Sequence, residues 1–503
     1  MSTETLQPST GADLEKMSYF DEVEGILYVS KNHAFHASVR SYMHLLRGKQ
    51  FEFQIEQVAM DAIAHMWLSK PQLSDATSTS SDVQRTATNI FRQAVLLRAS
   101  DIHIRLASKG HTKIYFRIHN DLELQEEHPF TWGQLLCSAI YVGMADISDP
   151  TFENLSRQDA RISSRDKLPA GLDGIRIATT PQVDGSVMVL RLLYNDAKKS
   201  TDICTLGYTQ EQKELVMLMR RRPTGINIIA GPTGSGKSTT LQRTLLSIHE
   251  ECRGTKHIIT VEDPPEYPMP GIVQTPVANA KTAEERSAAF QEAIKSTMRL
   301  DPNIIMIGEM RDTPSASLGV QAAMTGHQVW TTLHANNAFS IIDRMVDMGV
   351  SINIMSDPTI ITGLICQRLL KVLCPHCKIP IAQVMDRYSE NDLRRVLSAI
   401  DVSAAHVVGD GCPECNNSGI AGRTVVAEVV VPDRAMMAFI KAGQKDRAVD
   451  HWRLRGGYTM LDIAIKKVNE GLCDPFQAED EVGPLDFAID SNSNIAGAKN
   501  DAC

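Results

Sequence analysis

The chain has 503 residues, of which 43% are hydrophobic and 22% are charged, and its formal net charge is −9. This length allows about three domains of ordinary size, and the composition is that of a globular protein. An acidic balance disfavours broad binding to a nucleic-acid backbone, because such binding needs clustered Lys and Arg. A local basic patch, such as residues 220–222, is still compatible with it. We therefore expect no nucleic-acid partner.

The N-terminus lacks the basic and then apolar pattern of an export signal. No apolar run along the chain approaches the ~18 residues that a membrane span needs. We therefore expect a cytoplasmic protein that meets a membrane through a partner. In such a protein the ten cysteines are expected to be reduced thiols or metal ligands rather than disulfides.

The first part of the chain predicts two units joined by a linker. Residues 1–70 indicate a small N-terminal docking unit, with a strand at 26–29 and an amphipathic helix at 58–67. Residues 71–82 have the composition of a linker. Residues 83–200 then predict an α+β domain.

The α+β domain combines two predicted helices with four predicted strands. The helices are expected at 83–97 and 133–144. The strands are expected at 101–105, 113–118, 175–177 and 187–193. Each strand carries an arginine, and these are Arg105, Arg117, Arg176 and Arg191. An arginine on a strand is most often solvated or part of an ion pair, so these four do not by themselves indicate a site.

From residue 201 to residue 370 strands alternate with helices, which predicts an α/β core with a mainly parallel sheet. The strands are expected at 226–230, 257–261, 303–307 and 328–332. The helices are expected at 239–248, 290–300 and 315–324. Residues 340–475 predict a helix-rich region with two cysteine pairs, and we place the C-terminal region at 371–475. Residues 476–503 predict a flexible acidic and polar tail.

A phosphate-binding loop is the strongest motif, because residues 231–238 have the spacing G-x-x-x-x-G-K-[ST] between a strand and a helix. Its glycines let backbone N–H groups turn toward phosphate oxygens. Lys237 supplies a cation, and the Ser238 hydroxyl can join the shell of Mg²⁺. The alternative is a Gly-rich turn that binds nothing. The predicted nucleotide contacts are Gly231, Pro232, Thr233, Gly234, Ser235, Gly236, Lys237, Ser238 and Thr239.

Three further segments place polar groups at the ends of predicted strands, where a parallel sheet presents them to a ligand. Glu309 ends one strand and suits the neighbourhood of Mg²⁺, although a helix cap is the alternative. Glu262 ends another, and two prolines after it fix Glu266 in an extended turn that suits a general base; the alternative is an acidic surface turn. His334 ends a third, where it can sense a γ-phosphate or serve only a structural role.

Four cysteines form two C-x-x-C pairs, Cys374 with Cys377 and Cys412 with Cys415. Two such pairs suit a closed tetrahedral site for Zn²⁺, which is typical of a structural metal. The alternatives are four unrelated thiols or a redox pair. His376 is not expected to be a ligand.

These motifs, in this order, resemble the ATPases of type II secretion and type IV pilus assembly. The matching segments are GPTGSGKST, ITVEDPPEY, RLDPNIIMIGEMRD and TGHQVWTTLHANN. ASDIHI and QDARI resemble segments of the family's N-terminal α+β domain, and ICQRLL resembles the segment that precedes its cysteines. The resemblance covers residues 99–471 and is nearest to a short type IV pilus extension ATPase, of the IVb or conjugative thin-pilus kind.

The resemblance implies a fold and a set of roles. The fold is a RecA-like ATPase domain, preceded by a PAS-like α+β domain and followed by a zinc-binding helical subdomain. Glu266 is the implied water-activating base, with Glu309, Lys237 and His334 as further catalytic residues, and Glu262 is an implied nucleotide contact. Arginines of the α+β domain close over ATP, and the matching positions are Arg161, Arg176 and Arg191. The implied partners are five further copies in a homohexamer and a platform protein of the inner membrane.

The sequence departs from the family at three turns. The usual R-x-D-G is Arg117-Ile-His-Asn120, the usual QDG is Gln158-Asp-Ala160, and the usual DPD is Asp301-Pro-Asn303. None of these changes touches the phosphate loop, Glu266 or Glu309, so we expect an active enzyme. The first change leaves the role of Arg117 open.

The expected function is ATP hydrolysis that powers type IV pilus assembly by moving the platform protein, at the cytoplasmic side of the inner membrane. The cysteine pairs favour pilus extension over retraction, because the family's retraction members usually lack them. The first alternative is a type II secretion ATPase. The other two are a DNA-transfer motor and a scaffold that does not hydrolyse ATP.

Overall fold

The structure is a computed structural model that describes residues 17–21, 26–31, 36, 39–40, 43, 53–59, 63, 80–107, 110–146, 148, 151–195, 200–277 and 282–487. The chain divides into two compact units, residues 1–83 and 84–503. The helix predicted at 58–67 and the linker predicted at 71–82 lie largely outside the described residues. The finer domain borders remain predictions.

The first unit contains a three-stranded sheet in the order β1-β2-β3. The strands are β1 Ser18–Asp21, β2 Ile26–Ser30 and β3 Gln54–Val58. β1 pairs antiparallel with β2, and β2 pairs parallel with β3. Leu27 and Val29 of β2 are fully buried, so the strand predicted at 26–29 is confirmed.

The second unit begins with a six-stranded antiparallel sheet in the order β6-β5-β4-β9-β8-β7. The strands are β4 Asp101–Ala107, β5 His111–Ile118, β6 Asp121–Pro129, β7 Gln158–Ile162, β8 Leu172–Gln182 and β9 Gly185–Tyr194. The helices are α1 Ser80–Leu96 and α2 Phe130–Ser138, and a π-helical segment Ala139–Met144 continues α2. The four predicted strands are confirmed, and β6 and β7 are additional.

A two-residue turn joins β5 to β6 at the place where the family resemblance expects Asp-Gly. His119 and Asn120 both have positive φ, 48° and 83°. Two successive residues with positive φ form the tight hairpin turn whose twist matches the flanking strands. The hairpin therefore keeps its shape without glycine.

A seven-stranded sheet follows in the order β12-β11-β13-β14-β10-β15-β18. The strands are β10 Gly225–Ala230, β11 Ile258–Glu262, β12 Val273–Pro276, β13 Ile304–Ile307, β14 Gln328–Leu333, β15 Ile361–Leu373 and β18 Ile420–Val430. All pairs are parallel except β15 with β18. The mainly parallel sheet is confirmed, and its central strands are buried along their whole length because helices cover both faces.

Helices surround this sheet and continue into the C-terminal region. They are α3 Gln210–Arg220, α4 Lys237–Glu251, α5 Ala283–Thr297, α6 Thr313–Met324, α7 Ser340–Asp347, α8 Ile352–Met355, α9 Glu390–Ala399, α10 Arg434–Lys441, α11 Lys445–Leu454, α12 Met460–Asn469 and α13 Pro475–Val482. A small ribbon pairs β16 Ile379–Pro380 with β17 His406–Val407. Among the described residues, no helix combines the length and the apolar character needed to cross a membrane.

The helix-rich prediction for residues 340–475 is wrong in one respect, because the strands β15 and β18 lie in this range and pair with each other. Short continuous apolar runs can form either a buried strand or a buried helix, and their periodicity does not distinguish the two. Pairing with an existing sheet decides the matter here.

The flexible tail predicted from residue 476 is also corrected, since α13 packs against the insert between the cysteine pairs. Arg395 donates to both carboxylate oxygens of Glu479. The rings of Tyr388 and Phe476 stack with their centroids 3.8 Å apart. The acidic composition of residues 476–503 predicted a solvated segment, but these contacts hold α13, at its start, against the rest of the C-terminal region. Residues 488–503 lie outside the described residues.

Candidate nucleotide-binding site

The phosphate loop lies where β10 ends and α4 begins, as its sequence predicts. Gly234 and Gly236 adopt left-handed conformations, with φ of 81° and 84°. A side chain would be strained at either position. Residues 232–234 are exposed. The loop therefore presents its backbone at the carboxyl edge of the sheet, at the N-terminus of a 15-residue helix, which is a favourable place for phosphate.

The ammonium group of Lys237 folds back onto this loop. Its Nζ donates to the carbonyl oxygens of Gly231 and Pro232, at 2.8 Å and 2.9 Å. Burial lowers the pKa of Lys237, whereas the charges of Glu309 and Glu266 raise it. Both predicted acids thus lie near enough to Lys237 to act on it electrostatically.

A buried glutamine that the sequence analysis missed supports the loop from β15. Gln367 is fully buried, and its Nε2 donates to the carbonyl oxygen of Ser235 at 2.7 Å. Its Oε1 accepts from the hydroxyl of Tyr208 at 2.6 Å, and Tyr208 is itself buried. The signal that could have revealed it is an amide side chain directly after the apolar run 364–366 in the middle of the strand.

Glu309 and His334 follow neighbouring parallel strands, β13 and β14, and the structure brings them together. Nε2 of His334 lies 2.9 Å from Oε1 of Glu309. The other carboxylate oxygen of Glu309 accepts from Nε of Arg311 at 2.7 Å. The strand ends are held in register because Thr332 donates its hydroxyl to the carbonyl of Gly308 at 2.7 Å.

Glu262 is buried and tied to its own neighbourhood. Its Oε1 accepts from the Thr260 hydroxyl at 2.7 Å and from Nε2 of Gln274 at 3.0 Å. Burial raises the pKa of Glu262 above its ordinary value. Gln274 also donates to the carbonyl of Tyr267 at 2.9 Å. Glu262 thus helps to shape the loop that carries Glu266, and its predicted contact with nucleotide remains a prediction.

Glu266 meets an arginine of the six-stranded sheet. Oε1 of Glu266 lies 3.8 Å from Nη1 of Arg176, and both side chains are about one-third exposed. Arg176 stands directly opposite Arg161 on β7 and Arg191 on β9. Burial lowers the pKa of Arg176, and the charges of Arg191 and Arg161 lower it further, while Glu266 raises it. The three predicted arginines therefore form one row that faces the acidic loop.

The four predicted cysteines also come together. Their Sγ atoms all lie within 4.8 Å of one another. The separations are 3.7 Å for Cys374 and Cys412, 3.8 Å for Cys377 and Cys415, and 3.7 Å for Cys412 and Cys415. A tetrahedron of thiolates about 2.3 Å from zinc has edges of about 3.8 Å. These separations exclude disulfides, which need about 2.05 Å, and the cluster can hold a metal ion.

Comparison with known proteins adds an independent finding. A family model described as "Type II/IV secretion system protein" matches residues 76–482. The chain is 33% identical over 407 residues to type II secretion system protein E of Pseudomonas aeruginosa, and the match covers 80% of this chain and 76% of that protein. It is 32% identical over 405 residues to type II secretion system ATPase E of Vibrio cholerae, with the same shares covered.

Solved structures agree on the fold. The pilus retraction motor PilT, solved with bound ADP, matches with a TM-score of 0.53 and 23% identity, over 78% of this chain and 96% of that one. The ATPase DotB of Legionella pneumophila matches with a TM-score of 0.54 and 19% identity, over 79% of this chain and 95% of that one. At these identities the likeness shows a shared α/β fold.

Proposed function

The chain belongs to the family of type II/IV secretion system proteins, and from that premise we propose that it is an ATP-hydrolysing motor at the inner membrane. The observation that carries the proposal is the phosphate loop at the carboxyl edge of the parallel sheet, with Lys237 folded onto it, Glu309 after the nearby strand β13, and Glu266 on the loop that follows β11. Phosphoryl transfer needs charge stabilisation and a positioned water, and this set of groups supplies both.

Each group has a distinct role in the proposed reaction. Lys237 would leave its carbonyl partners to bind the β- and γ-phosphates, and Ser238 and Glu309 would hold the Mg²⁺ that accompanies ATP. Glu266 orients the attacking water and accepts its proton. His334, which touches Glu309, responds to the γ-phosphate.

The arginine row supplies the second half of the site. Arg161, Arg176 and Arg191 lie side by side, and like charges placed directly opposite one another are unfavourable unless an anion offsets them. Glu266 and Asp101 offset part of this repulsion, and a triphosphate between the row and the phosphate loop would offset the remainder. The six-stranded and seven-stranded sheets would then close over ATP and separate after hydrolysis. ATP hydrolysis would in this way drive a relative movement of the two sheets.

We place type II secretion ahead of pilus assembly as the process that this motor drives. The resemblance in the sequence favours a pilus extension ATPase, whereas the relatives that match across most of the chain carry type II secretion names. The names therefore support the alternative better. Both processes require the same catalysis.

The proposed working form is a homohexamer that acts on a platform protein of the inner membrane from the cytoplasmic side. The support is the family membership, since the sequence motifs match ring-forming ATPases across residues 99–471. Membrane association would then come through the platform protein.

The proposed metal is a structural zinc ion held by Cys374, Cys377, Cys412 and Cys415. Four thiolates form a closed ligand set, which leaves no position for substrate. The ion would join the end of β15 to the segment before β18 and so stabilise the C-terminal region.

Phosphate release by the purified protein tests the proposed function. Wild type should hydrolyse ATP, and Glu266→Gln should lose about 100-fold or more in kcat, because general-base catalysis contributes at least that much. Glu292→Gln alters an exposed carboxylate of α5 and serves as the matched control. Equal rates for wild type and Glu266→Gln would refute the role of Glu266.

Two further measurements separate the rival functions. Added DNA should leave the rate unchanged, and a several-fold stimulation would replace the secretion motor by a nucleic-acid motor. No phosphate release by a folded, oligomeric wild type would favour the scaffold. Secretion and pilus assembly are distinguished by deleting the gene and assaying exported proteins and surface pili separately.

A further inference from the structure

A row of charged side chains crosses five adjacent strands of the six-stranded sheet. The paired positions are Arg117 with Asp101, Asp101 with Arg191, Arg191 with Arg176, and Arg176 with Arg161. Directly opposed residues on neighbouring strands project from the same face and lie about 5 Å apart. The row therefore places a single carboxylate among four guanidinium groups.

Asp101 is the most buried member of this row. It is 5% exposed, and the hydroxyl of Ser100 donates to its Oδ2 at 2.8 Å. Its Oδ1 accepts from Nε of Arg191 at 3.0 Å. On its other side, Nε of Arg117 lies 3.8 Å from Oδ2. The Asp101 carboxylate is buried and hydrogen-bonded, so its orientation is fixed. It therefore restricts the orientation of the Arg191 guanidinium that donates to it.

The bond from Arg191 uses Nε and leaves both terminal nitrogens of the guanidinium for another partner. Arg191 is half-exposed although Asp101 is buried. Arg176, the next residue in the row, faces Glu266 at 3.8 Å. The terminal nitrogens of Arg191 therefore lie on the face that the acidic loop approaches.

We propose that Asp101 is a positioning residue for nucleotide binding. Its carboxylate accepts a hydrogen bond from Nε of Arg191 and so orients this guanidinium with its terminal nitrogens toward the phosphates of ATP. The inference rests on the proposed ATPase function and adds a residue to it. Asp101 itself touches no phosphate, since one carboxylate beside a triphosphate would repel it.

The direction in which Asp101→Asn changes the affinity for ATP tests the proposal. Asp101→Asn removes a negative charge from a site that binds an anion, so charge alone would tighten ATP binding. Loss of positioning would weaken it instead. We expect Asp101→Asn to raise KM for ATP and the Kd of a fluorescent ATP analogue by about tenfold, the size of one charge-assisted hydrogen bond.

A double-mutant cycle identifies Arg191 as the route of the effect. Residues that act through one another are non-additive, so Asp101→Asn should add nothing to Arg191→Gln. Asp173→Asn is the matched control, because Asp173 lies in the same sheet and bonds Asn195 and Arg165 outside the row. It should bind the analogue as wild type does.

Arg191→Lys keeps Asp101 and the positive charge but has one ammonium in place of separate Nε and terminal nitrogens. It should lose as much affinity as Asp101→Asn. Should Asp101→Asn fail to fold, Asp101→Glu keeps the charge but moves the carboxylate away from Nε of Arg191, and weaker binding of the analogue by this variant then reports loss of positioning. Unchanged or tighter binding by Asp101→Asn, additive effects, or wild-type binding by Arg191→Lys would each overturn the proposal. A wild type that binds the analogue without releasing phosphate refutes the ATPase function, and the binding series then still decides the role of Asp101.

Discussion

Nε2 of His334 lies 2.9 Å from Oε1 of Glu309, although the two residues are 25 positions apart in the chain. The contact exists because β13 and β14 are adjacent and parallel, so that both strands deliver their C-terminal residues to one edge. Arg311 takes the other oxygen of Glu309. The carboxylate is thus oriented from both sides before any nucleotide arrives.

Replacement of Glu309 by glutamine should abolish turnover while leaving ATP bound. The amide keeps the shape of the side chain but removes the charge that would face Mg²⁺, so we expect kcat to fall by about 100-fold or more. Steady-state phosphate release and binding of a fluorescent ATP analogue measure the two effects. Glu292→Gln should match wild type in both, and a Glu309→Gln variant with normal kcat would contradict the assignment.

Replacement of Gln367 by glutamate should destabilise the phosphate loop. The new carboxylate would face the Ser235 carbonyl without a donor, in a fully buried position. An unsatisfied buried group of this kind lowers the free energy of unfolding by about 3 kcal/mol. Urea denaturation should show this loss, and KM for ATP should rise.

The comparison variant for Gln367 is Tyr208→Phe, which removes only the hydroxyl that donates to Oε1. It should lose about 1 kcal/mol of stability and change KM less, because the bond to the loop carbonyl remains. A Gln367→Glu variant as stable as wild type, with normal KM, would show that the loop does not depend on β15.

The purified protein should contain about one zinc ion per chain, and Cys377→Ser should lose it. Loss of the ion should make residues 371–475 more sensitive to protease, because the ion would cross-link the segment after β15 to the segment before β18. Plasma emission spectrometry and limited proteolysis measure the two effects. Cys252→Ser, which lies outside the cluster, should keep the metal. Freshly purified wild type without zinc would refute the metal site.

Glu262 should make stability depend on pH in a defined direction. Burial raises the pKa of Glu262 above its ordinary value of 4.5. For a carboxyl group with a raised pKa, the contribution to stability is fully present below pH 4.5 and is lost as the pH rises through the folded-state pKa. Glu262→Gln does not ionise and keeps an acceptor for Thr260 and Gln274.

The melting temperature of Glu262→Gln should therefore rise relative to wild type as the pH increases from about 5 to about 8. Differential scanning fluorimetry across this range measures the difference. The exposed Glu292→Gln variant should show no such trend. A difference between Glu262→Gln and wild type that is constant with pH would contradict burial of an ionisable carboxyl at this position.

Local patterns predicted much of the fold correctly. Buried apolar runs predicted β10, β11, β13 and β14. Central parallel strands are covered by helices on both faces, and their residues are therefore mostly apolar. Alternation gave four strands of the antiparallel sheet. Among the elements that were not predicted, the strands β15 and β18 and the helix α13 are each fixed by a partner distant in the chain. Neither periodicity nor composition reports such a partner.

The sequence by itself determined which groups are candidates for the chemistry, through the spacing of the phosphate loop, the acids after two strands and the two cysteine pairs. These signals are local, because turn geometry and metal-ligand spacing depend on neighbours within a few residues. Only the tertiary structure decided which groups meet. The contact between His334 and Glu309, the support of the loop by Gln367, and the row that sets Asp101 among four arginines all depend on strand order and register, which long-range pairing fixes.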